Sequence, residues 1–291
     1  METTNLQGPA GQETEYGLKR IVVAYDASPS AQRALDDAIT IGKRFKAEIL
    51  LAQANAPDDE PGNSCSVLRT ERMLESSDLE AIRSRLASAG LSSRGIVRGG
   101  IVGDTLFNIC CEENADLLLL GAYGYGLKDR QTLGSTAEYL LRAVPCLTLT
   151  YGPNVTSTFD LIVHKGPVLV PVSLPCPLSQ LQRAMEVARL FGVKLEILHV
   201  ADHVKPAVIH DLEYQCEQLT EHLRRGGIRA QWSLYCGMPD TVIRSRGVEI
   251  DSPFILMPLK WGHSLSSITS DNVAARVIRC SKIPVMTYKV D

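Results

Sequence analysis

Three glycines, two closing an apolar run and one opening a helix, are the residues of this chain whose spacing could do chemistry. Leu117-Leu118-Leu119-Leu120 runs into Gly121-Ala122-Tyr123-Gly124, and after nine more residues Gly134-Ser135-Thr136 leads into Ala137. The pattern reads as a strand, a phosphate-cradling loop and a helix start. Gly121 and Gly124 would bend the backbone through positive φ and let a ligand approach the main chain, while Gly134-Ser135-Thr136 would aim the unpaired N–H groups of a first helical turn at an anion. A nucleotide is the natural guest. Ser135 and Glu138 also have the S-x-x-E spacing of a capping box, which explains that serine with no ligand at all. Capping does not explain three permissive positions around one loop.

A strand–helix alternation, made twice, has to hold those residues. Ile21-Val22-Val23-Ala24-Tyr25-Asp26 and Val168-Leu169-Val170-Pro171-Val172-Ser173 read as buried first strands. Each precedes a helix with one apolar face, formed by Ala31, Ala34, Leu35, Ala38 and Ile39 in the first half and by Leu178, Leu181, Met185 and Ala188 in the second. Ser28 as cap and Pro29 at the first helical position start the former. Second strands are predicted at residues 47–52 and 193–200, then longer helices stopped by Gly90 and by Gly226-Gly227. Third strands fall at 93–98 and 228–235, fourth strands at 117–120 and 253–257, and fifth strands at 144–149 and 283–288, each with a proline near its start. The repeat, about 140 residues long, is domain-sized.

Near-continuous apolar strands alternating with helices predict an α/β fold of two tandem doubly wound domains, each a five-stranded parallel sheet flanked by helices. The expected divisions are a disordered tail over 1–18, a nucleotide-binding domain over 19–153, a linker over 154–165 and a second domain over 166–291. In such sheets ligands sit outside the carboxyl ends of the strands, where the winding reverses. Strand one ends at Asp26 and strand four at Gly121, so if those strands are neighbours the carboxylate faces the glycine loop.

Composition narrows the partners. With 30 basic against 33 acidic residues mixed along the chain, nothing forms the basic stripe that nucleic acid or anionic lipid would need. No apolar run approaches the ~20 residues that span a bilayer, and the opening segment is polar, so a cytoplasmic protein is expected. Eight cysteines without C-x-x-C spacing fit reduced thiols. Cys110-Cys111 has the look of a redox pair, but adjacent cysteines rarely reach disulfide geometry without strain, and packing of the third helix explains them. All six histidines lie after residue 153, yet His199 ends a strand, so its spacing to His203 argues for ordinary imidazoles over a zinc site. Trp232 and Trp261 read as core or interface, and residues 57–66 as a loop that either borders the mouth or is a mere insertion.

Asp26 after the first strand, with Gly121-x2-Gly124-x9-Gly134-Ser135 after the fourth, resembles the signature of the universal stress protein family. The resemblance covers about residues 19–152 with the whole motif and about 166–291 with the scaffold only. The chain therefore looks like a tandem member, with an adenine-nucleotide alpha-hydrolase-like fold. The resemblance implies ATP, with or without Mg, as cofactor. It implies that Asp26 and the Ala24 backbone contact the ribose and adenine side and that Gln53 lines the base. Gly121, Tyr123 and Gly124 would wrap ribose and phosphates, and Gly134, Ser135, Thr136 and Ala137 would donate N–H and hydroxyl hydrogen bonds to phosphate oxygens. Tyr123 departs from the basic or imidazole side chain of many members, a loss that Lys128 or Arg130 could compensate.

The second half breaks this motif. Pro258 and Trp261 replace the two loop glycines, Asp271-Asn272 the Gly-Ser pair and Ser173 the aspartate. Bulk and like charge both oppose a phosphate there. The implied function is a stress-response binding protein with ATP in its first half, the degenerate half completing an internal pseudo-dimer. Fifth strands pair between subunits in the family, so residues 146–151 and 285–290 are candidates to pair within this chain. Homodimers and unidentified protein partners stay open. The alternative is an enzyme on the same scaffold, hydrolysing ATP slowly or adenylating a substrate. Asp26 is the one obvious carboxylate near the phosphates, and neither a Walker loop nor an S-G-G-x-D-S loop occurs, so no catalytic residue is assigned.

Overall fold

The computed structural model describes residues 17–55, 76–124, 133–201, 206–260 and 273–290. Among them the apolar runs form ten strands: β1 (Arg20–Ala24), β2 (Glu48–Asn55), β3 (Ser93–Gly99), β4 (Leu117–Gly121), β5 (Leu147–Tyr151), β6 (Val168–Val172), β7 (Leu195–Ala201), β8 (Ala230–Cys236), β9 (Ile255–Lys260) and β10 (Val285–Val290). The helices described are α1 (Pro29–Phe45), α2 (Ser76–Ser88), α3 (Val102–Glu112), α4 (Ser135–Ala143), α5 (Ser179–Phe191), α6 (Pro206–Arg225), α7 (Pro239–Glu249) and α8 (Val273–Cys280). None of them is long and apolar enough to cross a membrane.

The strands form one sheet in the order β3-β2-β1-β4-β5-β10-β9-β6-β7-β8. Every pairing is parallel except that of β5 with β10, which run antiparallel through Val285↔Thr150, Met286↔Leu149 and Thr287↔Thr148. Two doubly wound α/β units thus share a sheet, and neither fifth strand is an exposed edge. Both fifth strands begin later than predicted. Pro145 and Pro284 stay outside them, two residues and one residue ahead, since proline has no N–H for the ladder.

Alternation along β1 sorts the two faces of the sheet. Ile21 and Val23 join Ala31, Ala34, Leu35 and Ala38 of α1 in one buried cluster, whereas Val22 joins Leu106 and Ile109 of α3 and Leu140 of α4 in another. The α1-side cluster continues into the second half through Tyr151, Leu181, Phe191 and Phe254. Phe159, between β5 and β6, stacks on Phe254 at 5.2 Å and meets Phe191 edge-on at 5.3 Å, and Phe45 of α1 meets Phe191 at 5.4 Å. Such ring pairs add about 0.5–1.5 kcal/mol each beyond the area they bury, so packing as well as the sheet joins the halves.

Ser28 caps α1, its Oγ accepting the Ala31 N–H at 3.2 Å with Pro29 at the first position, and Lys46 ends the helix in the left-handed region at φ 55°. One buried carboxylate ties this helix to the connection that follows β5. Asp37 Oδ2 accepts the Tyr151 hydroxyl at 2.8 Å and the Phe159 N–H at 2.9 Å. Burial nonetheless pushes the Asp37 pKa up to about 6.

Candidate functional site

β1 and β4 are neighbours, and between them the winding reverses. From β1 the chain passes to β2 on one side, and from β4 to β5 on the other. The β1–β4 ladder ends at Val23↔Leu119, while β1 stays paired with β2 through Ala24↔Ala52 and β4 with β5 through Gly121↔Tyr151. A crevice therefore opens at the carboxyl ends of β1 and β4, where sheets of this kind receive ligands.

Asp26 stands at one lip. Its Oδ1 accepts the Ser28 N–H at 3.0 Å, an Asx turn in which Ala27 takes φ 60°. Its Oδ2 lies 3.0 Å from the position of a Cβ on Gly124, so carboxylate and loop touch across the crevice. Gly121 meets α1 instead. A Cβ there would collide with the Ser30 hydroxyl, which donates to the Tyr123 carbonyl at 3.2 Å and shares a hydrogen bond of 3.1 Å with Ser28 Oγ. Neither glycine has the positive φ expected of it. The need for glycine is close approach, by Ser30 to one and Asp26 to the other. Ser30, 9% exposed, is the site residue that sequence reasoning missed, and the second serine of Ser28-Pro29-Ser30 is its only local signal.

The other lip is the start of α4. Gly134 is the N-cap, at φ −60° and ψ 138°, and has no side chain to offer the first turn. The capping box expected of Ser135 and Glu138 does not form, because Ser135 is already the first helical residue and the Glu138 carboxylate pairs with Arg142. The N–H groups of Ser135, Thr136 and Ala137 thus begin a helix without a capping side chain, at its positive dipole end. The Gly134 N–H donates to the Ala122 carbonyl at 3.0 Å, and the Ala122 N–H to the Tyr151 carbonyl at 2.9 Å, stitching the two glycine segments together. Ser135 is exposed and Thr136 half-buried, while the Ala137 methyl packs in the core.

Ala24 and Gln53 flank the crevice by ladder position, Ala24 facing Ala52, the residue before Gln53. The Gln53 side chain is buried, and its amide has no hydrogen-bond partner among the described residues. Tyr123 packs its ring against a cluster containing Ala122, Leu133 and Leu141, and joins the mouth through its backbone carbonyl. Lys128, Arg130 and residues 57–66 lie outside the described residues.

In the second half the same register carries different side chains. Pro258 pairs with Tyr288 as Gly121 pairs with Tyr151, so a proline ring takes the place of the first loop glycine. Ser173 follows β6 where Asp26 follows β1, and His199 stands on β7 where Gln53 stands on β2, its Nδ1 3.0 Å from the Val172 carbonyl. Trp261, Asp271, Asn272, His203 and His263 lie outside the described residues. His164 pairs with Asp251 at 2.6 Å and His210 with Glu213 at 3.3 Å. Among the described residues no three His, Cys, Asp or Glu side chains gather as a metal site. Trp232 is half-buried against the α1-side cluster, its indole donating to Glu217.

The sequence model of the Universal stress protein family matches residues 17–151, the half that carries this mouth. Universal stress proteins from two strains of Mycobacterium tuberculosis are each 31% identical over 133 residues, which is 43% of this chain and 89% of theirs. The crystal structure of a universal stress protein from Archaeoglobus fulgidus superposes on 94% of this chain and 97% of its own, with a TM-score of 0.71 at 19% identity. A Pseudomonas aeruginosa protein of unknown function does so over 94% and 93%, with a TM-score of 0.65 at 16% identity. At those identities the two structures speak to the fold alone, which both share across the two halves. The match to the mycobacterial sequences goes further because it takes in nearly their whole length: the chain belongs to the universal stress protein family.

Proposed function

We propose that this protein is a regulatory stress-response protein of the cytoplasm that holds ATP, with or without Mg, in the crevice of its first half. The observation that carries this reading is the contact of Asp26 with Gly124 beside a helix start that has no cap side chain. Three features fit an adenine nucleotide. The Asp26 carboxylate is fixed by Ser28 and can accept from ribose hydroxyls. The buried Gln53 amide and the Ala24 backbone can read the edge of a base. The first turn of α4, with the Ser135 and Thr136 hydroxyls and the N–H of Ala137, can hold phosphate oxygens, and the glycine loop leaves them room. Pro258 at the matching position of the second half supports a scaffold role for that half, as an internal pseudo-dimer partner. The cysteines described are all free, which supports a reducing compartment.

Mass spectrometry of small molecules released from freshly purified protein tests the reading. Adenine nucleotide is expected from the parent protein and little from Gly124→Asp, whose side chain would press on Asp26. A parent preparation with no nucleotide and no calorimetric response to added ATP would overturn it. Steady phosphate release abolished by Asp26→Asn would replace it with a slow hydrolase.

A further inference from the structure

A cluster of sulfur and charge lies outside the nucleotide crevice, where the two halves meet. Cys110 of α3 is 2% exposed within the cluster on the α3–α4 face, and Cys146, just ahead of β5, packs against that cluster while keeping part of its surface in solvent. Both belong to this one cluster, and Cys146 is the group that acts most strongly on the Cys110 thiol. The fold therefore pairs Cys110 with Cys146 and leaves its chain neighbour Cys111 exposed. Continuing the β5–β10 register, in which Val285, Met286 and Thr287 face Thr150, Leu149 and Thr148, sets Lys289 opposite Cys146. The Lys289 ammonium donates to the Leu141 carbonyl in α4 and interacts with the Cys146 sulfur. Burial lowers its pKa to about 8, which still leaves it largely cationic at neutral pH.

A partly exposed thiol beside an ammonium, with a second thiol sealed behind it, is the arrangement that reversible thiol oxidation uses. We propose that Cys146 and Cys110 form a peroxide-reactive pair, Cys146 the attacking thiol and Cys110 the resolving one, with a small hydroperoxide as substrate. The Cys146 sulfur attacks the terminal peroxide oxygen, the O–O bond breaks, and the sulfur is oxidised to a sulfenic acid. The thiol proton ends on the leaving oxygen, which departs as an alcohol, or as water from hydrogen peroxide. The Cys110 sulfur then attacks the sulfenic sulfur, the S–O bond breaks, and hydroxide leaves as water with the Cys110 proton. Two thiols and one hydroperoxide thus become one disulfide, one alcohol and one water.

The roles follow from the surroundings. The neighbouring Cys146 thiol, and then burial, hold the Cys110 thiol far above its ordinary value, so it keeps its proton until a sulfenic acid forms beside it. Lys289 is a positioning residue that keeps positive charge next to a sulfur becoming negative as it attacks. The resulting bond would close a loop holding β4, the glycine loop and α4, and it is independent of the ATP reading.

Full-length protein treated with one equivalent of hydrogen peroxide, alkylated and digested without reductant, is expected to lose two of its eight thiols and yield a linked Cys110–Cys146 peptide. In Cys110→Ser, Cys146 is expected to stop at the sulfenic acid and be trapped by dimedone. Lys289→Met should slow that trapping about tenfold with an unchanged circular dichroism spectrum. Should Cys110→Ser fail to fold, the peptide map of the parent protein still decides. Oxidation of the exposed Cys111 or Cys236 ahead of Cys146, or a link from Cys146 to any thiol but Cys110, would overturn the proposal.

Discussion

Gly121→Ala distinguishes a glycine required by close approach from one required by backbone conformation. The new methyl would collide with Ser30 Oγ, lie 3.0 Å from Ser30 Cβ and lie 3.3 Å from the Tyr123 carbonyl. Ser30 cannot swing aside without giving up its hydrogen bond to that same carbonyl. Overpacking by one methyl costs about 1–3 kcal/mol, with about 1 kcal/mol more if the hydrogen bond goes. Ser30→Gly alone loses that bond and about 1 kcal/mol of helix propensity, yet it also empties the space the methyl needs. In the double variant the methyl drops into that space, and the stability should equal that of Ser30→Gly alone. The coupling is therefore about 1–3 kcal/mol in the stabilising direction. Urea denaturation of the four proteins at constant m-value measures it. If Gly121 were held in the left-handed region, the alanine penalty would persist in the double variant. Additivity within about 0.5 kcal/mol would therefore refute the reasoning.

Two further predictions concern the buried charges that hold the halves in shape. The pKa of Asp37 is raised from 3.8 to about 6 by burial, so the native state binds its proton more tightly than the unfolded chain. Its stabilisation is complete below pH 3.8 and is lost as pH rises through 6, the reverse of the usual carboxylate. The stability difference between the parent and Asp37→Asn, from urea melts between pH 4 and 7, should change by about 3 kcal/mol or less, and a pH-independent difference would refute the burial argument. In the second half Glu196 of β7 is fully buried, held by Arg246 at 2.7 and 3.2 Å, Gln231 at 2.5 Å and Ser233 at 2.8 Å. Burial pushes its carboxyl upward, but those hydrogen bonds outweigh burial and keep it below the ordinary value. Arg246→Met should cost about 3–5 kcal/mol by orphaning that charge, and Glu196→Leu added to it should recover most of the loss in thermal unfolding.

The scaffold was legible because its signals are local and redundant. Ser28-Pro29 marks the start of α1, Gly90 and Gly227 stop helices at φ 76° and 81°, and leucine runs mark the central strands. The facing of Asp26 and the glycine loop was legible through topology, since a doubly wound sheet puts the ends of its first and fourth strands together. What stayed hidden depends on atoms brought together from afar. Nothing near Gly121 announces Ser30, and nothing near Asp37 announces Tyr151 and Phe159. Cys110 and Cys111 read as packing of one helix, and Cys110 is indeed buried there, but nothing in the sequence announces that the fold sets Cys146 beside it and leaves Cys111 exposed. The capping box failed because glycine, not serine, took the cap position, a choice of one residue that sequence spacing does not resolve.

The register explains how one sheet can hold two crevices, one with glycine and one with proline at the matching position. β6 pairs with β9 at Leu169↔Ile255, the counterpart of Val22↔Leu118 in a β1–β4 ladder that runs one residue further to Val23↔Leu119, so the halves part their central strands within one residue of the same level. The parting follows from the strand order, and it survives whatever side chains stand around it. In the first half it is lined by the smallest residue, and a carboxylate and a helix start can converge there. In the second, Pro258 is accommodated because β9 is already unpaired with β6 at that height, where a missing N–H is tolerated. The scaffold thus supplies a crevice twice, and under the proposed function the residues at 26, 121 and 124 are what fit the first copy for a ligand. Pro258 leaves the strand order of the second half unchanged, and that half covers what would be the bare edge of β5. The first half therefore depends on the second for a closed sheet, a dependence carried by β10, Phe254 and the Asp37-anchored Phe159 rather than by any residue of the crevice.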